Sequence, residues 1–441
     1  MNTLGRRTFL HSAGLAALAA GGAGAPFVRS ARAGEPGAND KIRIGLIGCG
    51  NMGQGDLNCF FLNPEVECAV VCDVDDARLA KGVAICESKR GKKPDTVKDF
   101  RRVLDRKDVD AVLIATPDHW HALPAVLACQ AGKDVYVEKP LAKTIDEGRA
   151  MLEAAKRHNR VVQMGSQWRS CAHIIEAAQL IRSGKLGKVS LARGWAFLDW
   201  LPTIGKPADC PPPAGVDYDL WLGPAPLRPF NPNRFHFNFR WFWDYAGGLM
   251  TDWGVHLINM VAMGLPDEAP KSVTSCGGKF ILDDDSETPD SQVTVFDFPS
   301  CQLIWEHRAG LNNGLNSRPW GVEWHGTEGN IILNDTGFEL VTEPKRAKTP
   351  SQRTRSQGGD PRAPHVRNFL DCLKSRQQPV LNLEVGHRVS TLAHLGNIAY
   401  RTGQKIVWDG ANEKVVGSPE ADRLVGAEYR KPWSLPYARR A

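Results

Sequence analysis

The sequence predicts an α/β protein in which a doubly wound parallel sheet is followed by an α+β domain with an open, largely antiparallel mixed sheet. Three observations support this prediction. Strand patterns alternate with helical patterns in the first part of the chain, and a glycine-rich turn follows the first strand. After about Ser166 the sequence becomes rich in tryptophan and proline and carries short β-type patches. We therefore predict a first domain over residues 41–166 and a second over residues 167–441.

The first domain is predicted from its order of elements. Apolar and β-branched residues favour a strand over residues 41–47, and further strands over 67–72, 111–115, 134–137 and 161–164. Helical patterns cover 77–87, 123–131 and 145–158. Strands that alternate with helices form βαβ units, so the strands should lie parallel with helices on both faces. This arrangement is the Rossmann fold.

The second domain carries a different pattern. Strands are predicted over residues 190–197, 292–298, 302–307 and 321–325, and helices over 365–375 and 385–402. The strands suggest a largely antiparallel sheet with one buried face. Residues 201–213 and 344–361 are predicted to be long loops, because both are interrupted by proline or glycine.

The N-terminus has the pattern of an export signal. Arg6 and Arg7 precede an apolar stretch over residues 13–25, and a small-residue cleavage pattern ends at Ala33. The apolar stretch is too short and too rich in glycine and alanine to cross a hydrocarbon core of about 30 Å. We expect a twin-arginine signal peptide over residues 1–33, a linker over 34–40, and a periplasmic or other extracytoplasmic mature protein without a membrane span.

Charge and cysteine spacing exclude several classes of protein. The net charge is +6, and residues 1–33 hold four arginines and no acid, so a mature chain has a charge of 6 − 4 = +2. A nearly neutral protein lacks the excess of positive charge that is typical of nucleic-acid-binding proteins. The eleven cysteines include no C-x-x-C pair, and we expect neither a metal site nor a disulfide framework.

A G-x-G-x-x-G motif directly follows the first predicted strand and opens a helical stretch, which is the context that dinucleotide binding requires. The first glycine permits a tight turn, the second lets the backbone approach a pyrophosphate, and the third lets the helix pack on the strand. The free N–H groups at the start of the helix favour an anion. The residues of this predicted NAD site are Gly48, Gly50, Asn51, Met52 and Gly53.

Asp73 lies 20 residues beyond Gly53, at the end of the second predicted strand. A carboxylate there accepts hydrogen bonds from both ribose hydroxyls of NAD and repels the 2′-phosphate of NADP, so the sequence favours NAD. The alternative is that Asp73 caps the following helix. Asp75 and Asp76 can serve as that cap instead.

Two further segments follow predicted strands, at the edge where ligands bind in an open α/β sheet. Thr116, Pro117 and His121 belong to the first, and Glu138 and Lys139 to the second, and we assign all five to the cofactor site.

Further along the chain, Asp252 and His256 would share one helix face if their segment is helical. Alcohol oxidation needs a proton acceptor and a donor that stabilises the developing alkoxide, and Lys139, Asp252 and His256 supply those groups. The alternatives are that Lys139 is a surface lysine and that His256 bonds Asp252 for structure alone.

These motifs resemble the Gfo/Idh/MocA oxidoreductases, and the resemblance covers nearly the whole chain after residue 40. Its most specific parts are the glycine motif, Thr116-Pro117 with His121, Glu138-Lys139-Pro140, and the segment from Gly247 to His256. The resemblance implies that Lys139 and His256 exchange protons, that Asp252 orients the substrate or the histidine, and that the Lys-Pro bond is cis. It also implies a second domain that carries the substrate and mediates assembly into a dimer or tetramer.

A cluster of aromatic and donor side chains in the second domain suits a carbohydrate, whose C–H faces stack on rings while its hydroxyls bond at the edges. An aromatic core or a subunit interface is the alternative. We assign the substrate to Trp168, Arg169, His236, Arg240, Trp241, Asp252 and His256.

Three functions remain open. The first is oxidation of a secondary hydroxyl of a sugar, glycoside or cyclitol with tightly bound NAD, which export would favour because free cofactor is scarce outside the cytoplasm. The second, implied by the resemblance, is redox-neutral glycoside hydrolysis or lysis by transient oxidation, elimination, water addition and re-reduction. The third is a non-catalytic NAD-binding sensor or scaffold.

Overall fold

The computed structural model describes residues 41–201 and 203–439. The predicted signal peptide and linker therefore lie outside the described residues. Among the described helices, none is long and apolar enough to cross a membrane.

The first sheet contains six parallel strands in the order β3-β2-β1-β4-β5-β6, which confirms the doubly wound fold. The strand order reverses between β1 and β4, so a cleft opens beyond their carboxyl ends. The strands are β1 (Ile42–Ile47), β2 (Val66–Cys72), β3 (Asp95–Val97), β4 (Ala111–Ile114), β5 (Asp134–Glu138) and β6 (Val162–Gly165). The helices are α1 (Asn51–Phe60), α2 (Asp76–Arg90), α3 (Arg101–Leu104), α4 (Ala122–Gln130) and α5 (Ile145–Arg157).

The central strands of this sheet follow directly from their residues. Every residue of β4 and β5 is buried, because helices cover both faces of a parallel sheet. The sequence did not predict β3, which has only three residues at the sheet edge and is partly exposed. A strand that short and that polar carries no periodic signal.

Among the described residues, the second sheet has ten strands in the order β14-β13-β12-β11-β7-β10-β9-β8-β15-β16, and only β7 and β10 pair in parallel, so the predicted largely antiparallel mixed sheet is confirmed. Its strands are β7 (Val189–Leu198), β8 (Ser272–Gly278), β9 (Ser291–Asp297), β10 (Gln302–Ala309), β11 (Trp320–Gly326), β12 (Gly329–Asn334), β13 (Gly337–Thr342), β14 (Gln352–Arg355), β15 (Ile406–Asp409) and β16 (Lys414–Val416). The helices of this part are α6 (Ala172–Arg182), α7 (Tyr218–Leu222), α8 (Gly248–Asp252), α9 (Gly254–Gly264), α10 (Arg362–Ser375), α11 (Leu383–Thr402) and α12 (Pro419–Arg423).

Strand β14 corrects the prediction of a long loop over residues 344–361. Its four residues pair with β13 at the edge of the sheet. Charged side chains alternate along it, as in Arg353 and Arg355, and such residues are common on edge strands although their sequence resembles a loop.

A large apolar core joins the two sheets, and a second apolar cluster packs α1 and α10 on the first sheet. Helix α10 comes from the C-terminal half of the chain but packs on the first sheet, where the ring of Phe369 lies 6.1 Å from Phe60 and 5.7 Å from Tyr136. Helices α9 and α11 pack on the second sheet. The junction of α8 and α9 is thereby brought to the carboxyl ends of β5 and β6.

Candidate active site

A cleft lies at the carboxyl ends of β1, β2, β4 and β5 and is covered by a segment of the second domain around residues 236–240. It brings the glycine motif together with most of the predicted cofactor residues. The predicted residues that line it are Gly48, Gly50, Asn51, Met52, Asp73, Thr116, Pro117, Glu138, Lys139, His236 and Arg240.

The glycine turn leaves room for a phosphate. Gly48 has φ +95°, and a Cβ there would lie 2.6 Å from the Ala115 carbonyl oxygen. A Cβ on Gly53 would strike the Gly48 carbonyl, so the third glycine permits α1 to approach β1. Gly50 is the N-cap of α1 and supplies no capping side chain. The first N–H groups of α1 therefore remain available to a pyrophosphate, and the residues present fit NAD.

Asp73 supports the glycine turn from the end of β2. Its Oδ2 accepts from the backbone N–H of Cys49 at 2.7 Å, and its Oδ1 accepts from that of Asp75 at 3.0 Å. Burial raises the pKa of Asp73. The helix cap is Asp75, whose side chain accepts from the Ala77 N–H at 2.8 Å. Asp73 is thus free of the capping role and lies in the cleft, where ribose hydroxyls would bind.

Lys139, Asp252 and Arg240 form a buried charge cluster. Lys139 Nζ donates to Asp252 Oδ1, and Arg240 Nε donates to the same oxygen at 3.2 Å. Burial opposes ionisation of Asp252, but the two cations outweigh it and hold its pKa below the usual range. The Lys139-Pro140 peptide bond is cis, as the resemblance implied. One carboxylate therefore fixes both cations at the end of β5.

His256 is held by Ser166 rather than by Asp252. The helix predicted to carry both residues is interrupted at Trp253, and Asp252 and His256 make no hydrogen bond to each other within the described structure. Ser166 Oγ lies 2.9 Å from His256 Nδ1. Burial, together with the charge of Lys139, lowers the pKa of His256 to about 3, so the ring is neutral near pH 7.

His121 lies beneath the cleft rather than in its lining. Its ring nitrogens lie 2.7 Å from the Pro140 carbonyl oxygen and 3.0 Å from that of Thr116. The imidazole therefore ties the turn after β4 to the turn after β5, and it positions cofactor residues through the backbone.

Two carboxyls near Lys139, those of Asp118 and Asp56, were not assigned from the sequence, and a third, Glu138, was assigned only to the cofactor site. Asp118 lines the cleft, and burial raises its pKa to about 7. Burial raises the pKa of Asp56 to about 7, and burial together with Asp56 raises that of Glu138 well above its usual value. Asp118 follows β4 and could have been found by the rule that ligands bind at carboxyl ends of strands. Asp56 gave no such signal, because it lies inside α1.

The predicted substrate residues are divided between the cleft and the core. Trp168 stacks on Trp320 with ring centroids 4.5 Å apart and lies 4.9 Å from the ring of His256. Arg169 bonds Asn259 and the Val380 carbonyl and does not line the cleft.

Of two other predicted substrate residues, His236 forms a hydrogen bond within the protein and Trp241 lies in the core. His236 bonds Asp75 Oδ2 at 2.8 Å, next to Arg78. Trp241 is buried outside the cleft lining, as the alternative of an aromatic core anticipates.

Within residues 41–201 and 203–439, no group of three or more metal-ligating side chains is arranged to hold an ion. All eleven cysteines are free.

Known proteins resemble this chain in sequence and structure. Levoglucosan dehydrogenase of Pseudarthrobacter phenanthrenivorans is 32% identical over 173 residues, which is 38% of this chain and 43% of that protein. A glycosyl hydrolase family 109 protein of Shewanella pealeana is 30% identical over 154 residues, 34% of each chain. The alignments thus span less than half of these curated relatives. A levoglucosan dehydrogenase solved with NADH and levoglucosan has a TM-score of 0.64 at 20% identity, over 83% of this chain and 99% of that one.

Family profiles cover most of the described chain. The NAD-binding Rossmann domain of the oxidoreductase family matches residues 42–166, where the glycine turn and Asp73 lie. The C-terminal α/β domain of the same family matches residues 174–302 and 342–435, which include Arg240, Asp252 and His256. The chain therefore belongs to the Gfo/Idh/MocA oxidoreductase family, with an NAD-binding Rossmann domain and a C-terminal α/β domain.

Proposed function

We propose that this protein oxidises a secondary hydroxyl of a sugar, glycoside or cyclitol and keeps its NAD bound. The proposal rests on the Lys139–Asp252–Arg240 cluster. Lys139 and Arg240 line the same cleft as the glycine turn, which fits a pyrophosphate. The sugar dehydrogenase named among the relatives supports the substrate class.

Each residue of the site has a distinct role in alcohol oxidation. NAD, when bound along the glycine turn, supplies the hydride acceptor. Lys139 Nζ accepts the hydroxyl proton as an amine and becomes the ammonium that pairs with Asp252, which holds that nitrogen in place. His256 lies close enough to Lys139 and Asp252 for their charges to shift its pKa, and we assign it to the substrate oxygen. Trp168 stacks on Trp320 and packs next to His256, so it supports the position of that ring.

The test uses purified protein and a panel of sugars and cyclitols, with NADH absorbance as the readout. We expect turnover by the wild type and a loss of at least about 10²-fold in kcat for Lys139→Met. Lys93→Met is the matched control, because Lys93 is exposed and remote from the cleft, and it should keep wild-type activity. Binding of NAD without turnover of any sugar would favour the sensor or scaffold instead.

Redox-neutral glycoside hydrolysis is the second candidate, favoured by the glycosyl hydrolase family 109 relative. It requires the same proton exchange at Lys139 but returns the hydride to the product. Aryl glycosides incubated without added NAD distinguish the two functions. Release of phenol without accumulation of NADH would select hydrolysis, whereas a requirement for free NAD or an acceptor sugar would select the oxidoreductase.

We also propose export by the twin-arginine route and assembly into a dimer or tetramer. Export is supported by Arg6, Arg7 and the apolar stretch that follows them. Arg6→Lys combined with Arg7→Lys keeps the charge and should retain the protein in the cytoplasmic fraction. Light scattering of the purified protein tests assembly, and a monomer would contradict it.

A further inference from the structure

A chain of three hydrogen bonds runs behind His256. Arg169 Nη1 donates to Asn259 Oδ1 at 2.9 Å, Asn259 Nδ2 donates to Ser166 Oγ at 3.2 Å, and Ser166 Oγ lies 2.9 Å from His256 Nδ1. Ser166 and Asn259 are fully buried. The chain joins the turn after β6 to α9, and none of its four residues is among those that line the cofactor cleft.

The direction of each bond is set by chemistry. A guanidinium has no acceptor, so the Asn259 atom that faces Arg169 must be the carbonyl oxygen. The amide nitrogen of Asn259 then faces Ser166 and donates to its Oγ. A hydroxyl carries one hydrogen, and among the described residues the remaining partner of Ser166 Oγ is His256 Nδ1. The Ser166 hydroxyl therefore donates to the ring, and Nδ1 is the acceptor.

From this geometry we infer that Arg169, Asn259 and Ser166 are positioning residues that fix His256 as the neutral tautomer with its proton on Nε2. This inference rests on the proposed function for its catalytic meaning. The opposite tautomer would place two donors, Nδ1–H and the amide of Asn259, on one buried oxygen and leave the Ser166 proton without an acceptor. His256 Nε2 has no protein partner within the described residues, so its N–H is available to a substrate.

The inference separates the roles of His256 and Lys139. A ring that presents N–H to the substrate oxygen stabilises the developing alkoxide or carbonyl, and it does not accept the hydroxyl proton. Lys139, as the amine, is then the group that accepts this proton and becomes the ammonium paired with Asp252. The charged and titratable groups around His256 are Lys139 after β5, Asp252 at the end of α8 and His365 on α10. Because burial and Lys139 lower the pKa of His256 to about 3, the ring stays neutral throughout the usual assay range.

The direct test is ¹⁵N NMR of histidine-labelled, cofactor-loaded protein near pH 7, without substrate. His256→Gln identifies the signals by their absence. We expect a protonated-type shift at Nε2 of His256 and an unprotonated-type shift at Nδ1. Protonation at Nδ1, or at both nitrogens, would overturn the inference. The NMR measurement of the tautomer needs no turnover. A failure to find a sugar substrate would therefore refute the proposed function alone.

Asn259→Asp tests the chain itself. A carboxylate has no N–H, so the Ser166 hydroxyl would donate to it and accept from Nδ1–H of His256, which moves the ring proton from Nε2 to Nδ1. Arg169 can still bond the new carboxylate, which favours folding. We expect the inverted tautomer in the NMR spectrum and a loss of about 10²- to 10³-fold in kcat with little change in KM. An unchanged tautomer would overturn the inference.

Ser170→Ala is the matched control. Ser170 Oγ lies 2.7 Å from Nδ1 of another buried histidine, His365, whose Nε2 lies 2.9 Å from the Met164 carbonyl oxygen. This substitution should shift the His365 signals and leave the tautomer of His256 and kcat unchanged. Ser166→Ala should instead allow both tautomers of His256 and lower kcat, and Ser166→Thr, which keeps the hydroxyl, should restore both readings. A Ser166→Ala protein with wild-type kcat and tautomer would also overturn the inference.

Discussion

Removing the charge of Asp252 should destabilise the protein more than removing either cation that it binds. The side chains of Lys139, Asp252 and Arg240 are 8%, 13% and 17% exposed, so their interactions are only weakly screened by water. Asp252→Asn leaves two buried cations without a counter-charge and should cost about 3–5 kcal/mol of unfolding free energy. Lys139→Met leaves Asp252 paired with Arg240 and should cost about 1–3 kcal/mol.

The assay is urea unfolding at pH 7, followed by tryptophan fluorescence, for the two single variants and their combination. Because the residues interact, the double variant should be less destabilised than the sum of the singles by about 1 kcal/mol or more. The reasoning would be refuted if Asp252→Asn cost no more than Lys139→Met, or if the two effects were additive.

The pH dependence gives a second check on the same residue. The folded pKa of Asp252 lies below its usual value, so its stabilisation is present above the unfolded pKa of about 3.9. It is lost only as the pH falls through the folded value. The difference between wild type and Asp252→Asn should therefore be constant from about pH 6 to pH 8 and shrink below about pH 4.

Predictions for four further variants concern the cleft. Gly53→Ala should lower the unfolding free energy by about 1–3 kcal/mol, because its Cβ meets the rigid turn of the glycine motif, whereas Gly50→Ala should fold normally and lose NAD affinity in a fluorescence titration. Asp118→Asn should raise the unfolding free energy at pH 8 but not at pH 4. Because the folded pKa of Asp118 is about 7, the native state loses stability as the pH rises from about 4 to 7. An amide does not ionise, so the variant does not lose this stability. Asp73→Ala removes the acceptor of the Cys49 N–H and should weaken NAD binding in calorimetry by about tenfold or more, with equal affinity refuting its role.

The sequence alone was sufficient for features that depend on local chemistry. A strand, a G-x-G-x-x-G turn and a helix occupy a few consecutive residues, so the motif at 48–53 predicted both the Rossmann fold and the location of the phosphate cradle. The rule that ligands bind at the carboxyl ends of parallel strands likewise placed Lys139 in the cleft. Alternation of apolar and polar residues predicted four strands of the second sheet, β7, β9, β10 and β11, but not β8, β12, β13, β14, β15 or β16.

The partners of the catalytic side chains were decided by tertiary structure. Asp252 was expected to share a helix face with His256, but α8 ends at Asp252, whose carboxylate bonds Lys139, 113 positions away. His256 instead bonds Ser166, 90 positions away. Such pairs depend on how the two sheets and their helices pack together. No local pattern in the sequence shows which residues 90 or 113 positions apart will come into contact. The sequence therefore determined which chemical groups are present, and the packing determined which of them act together.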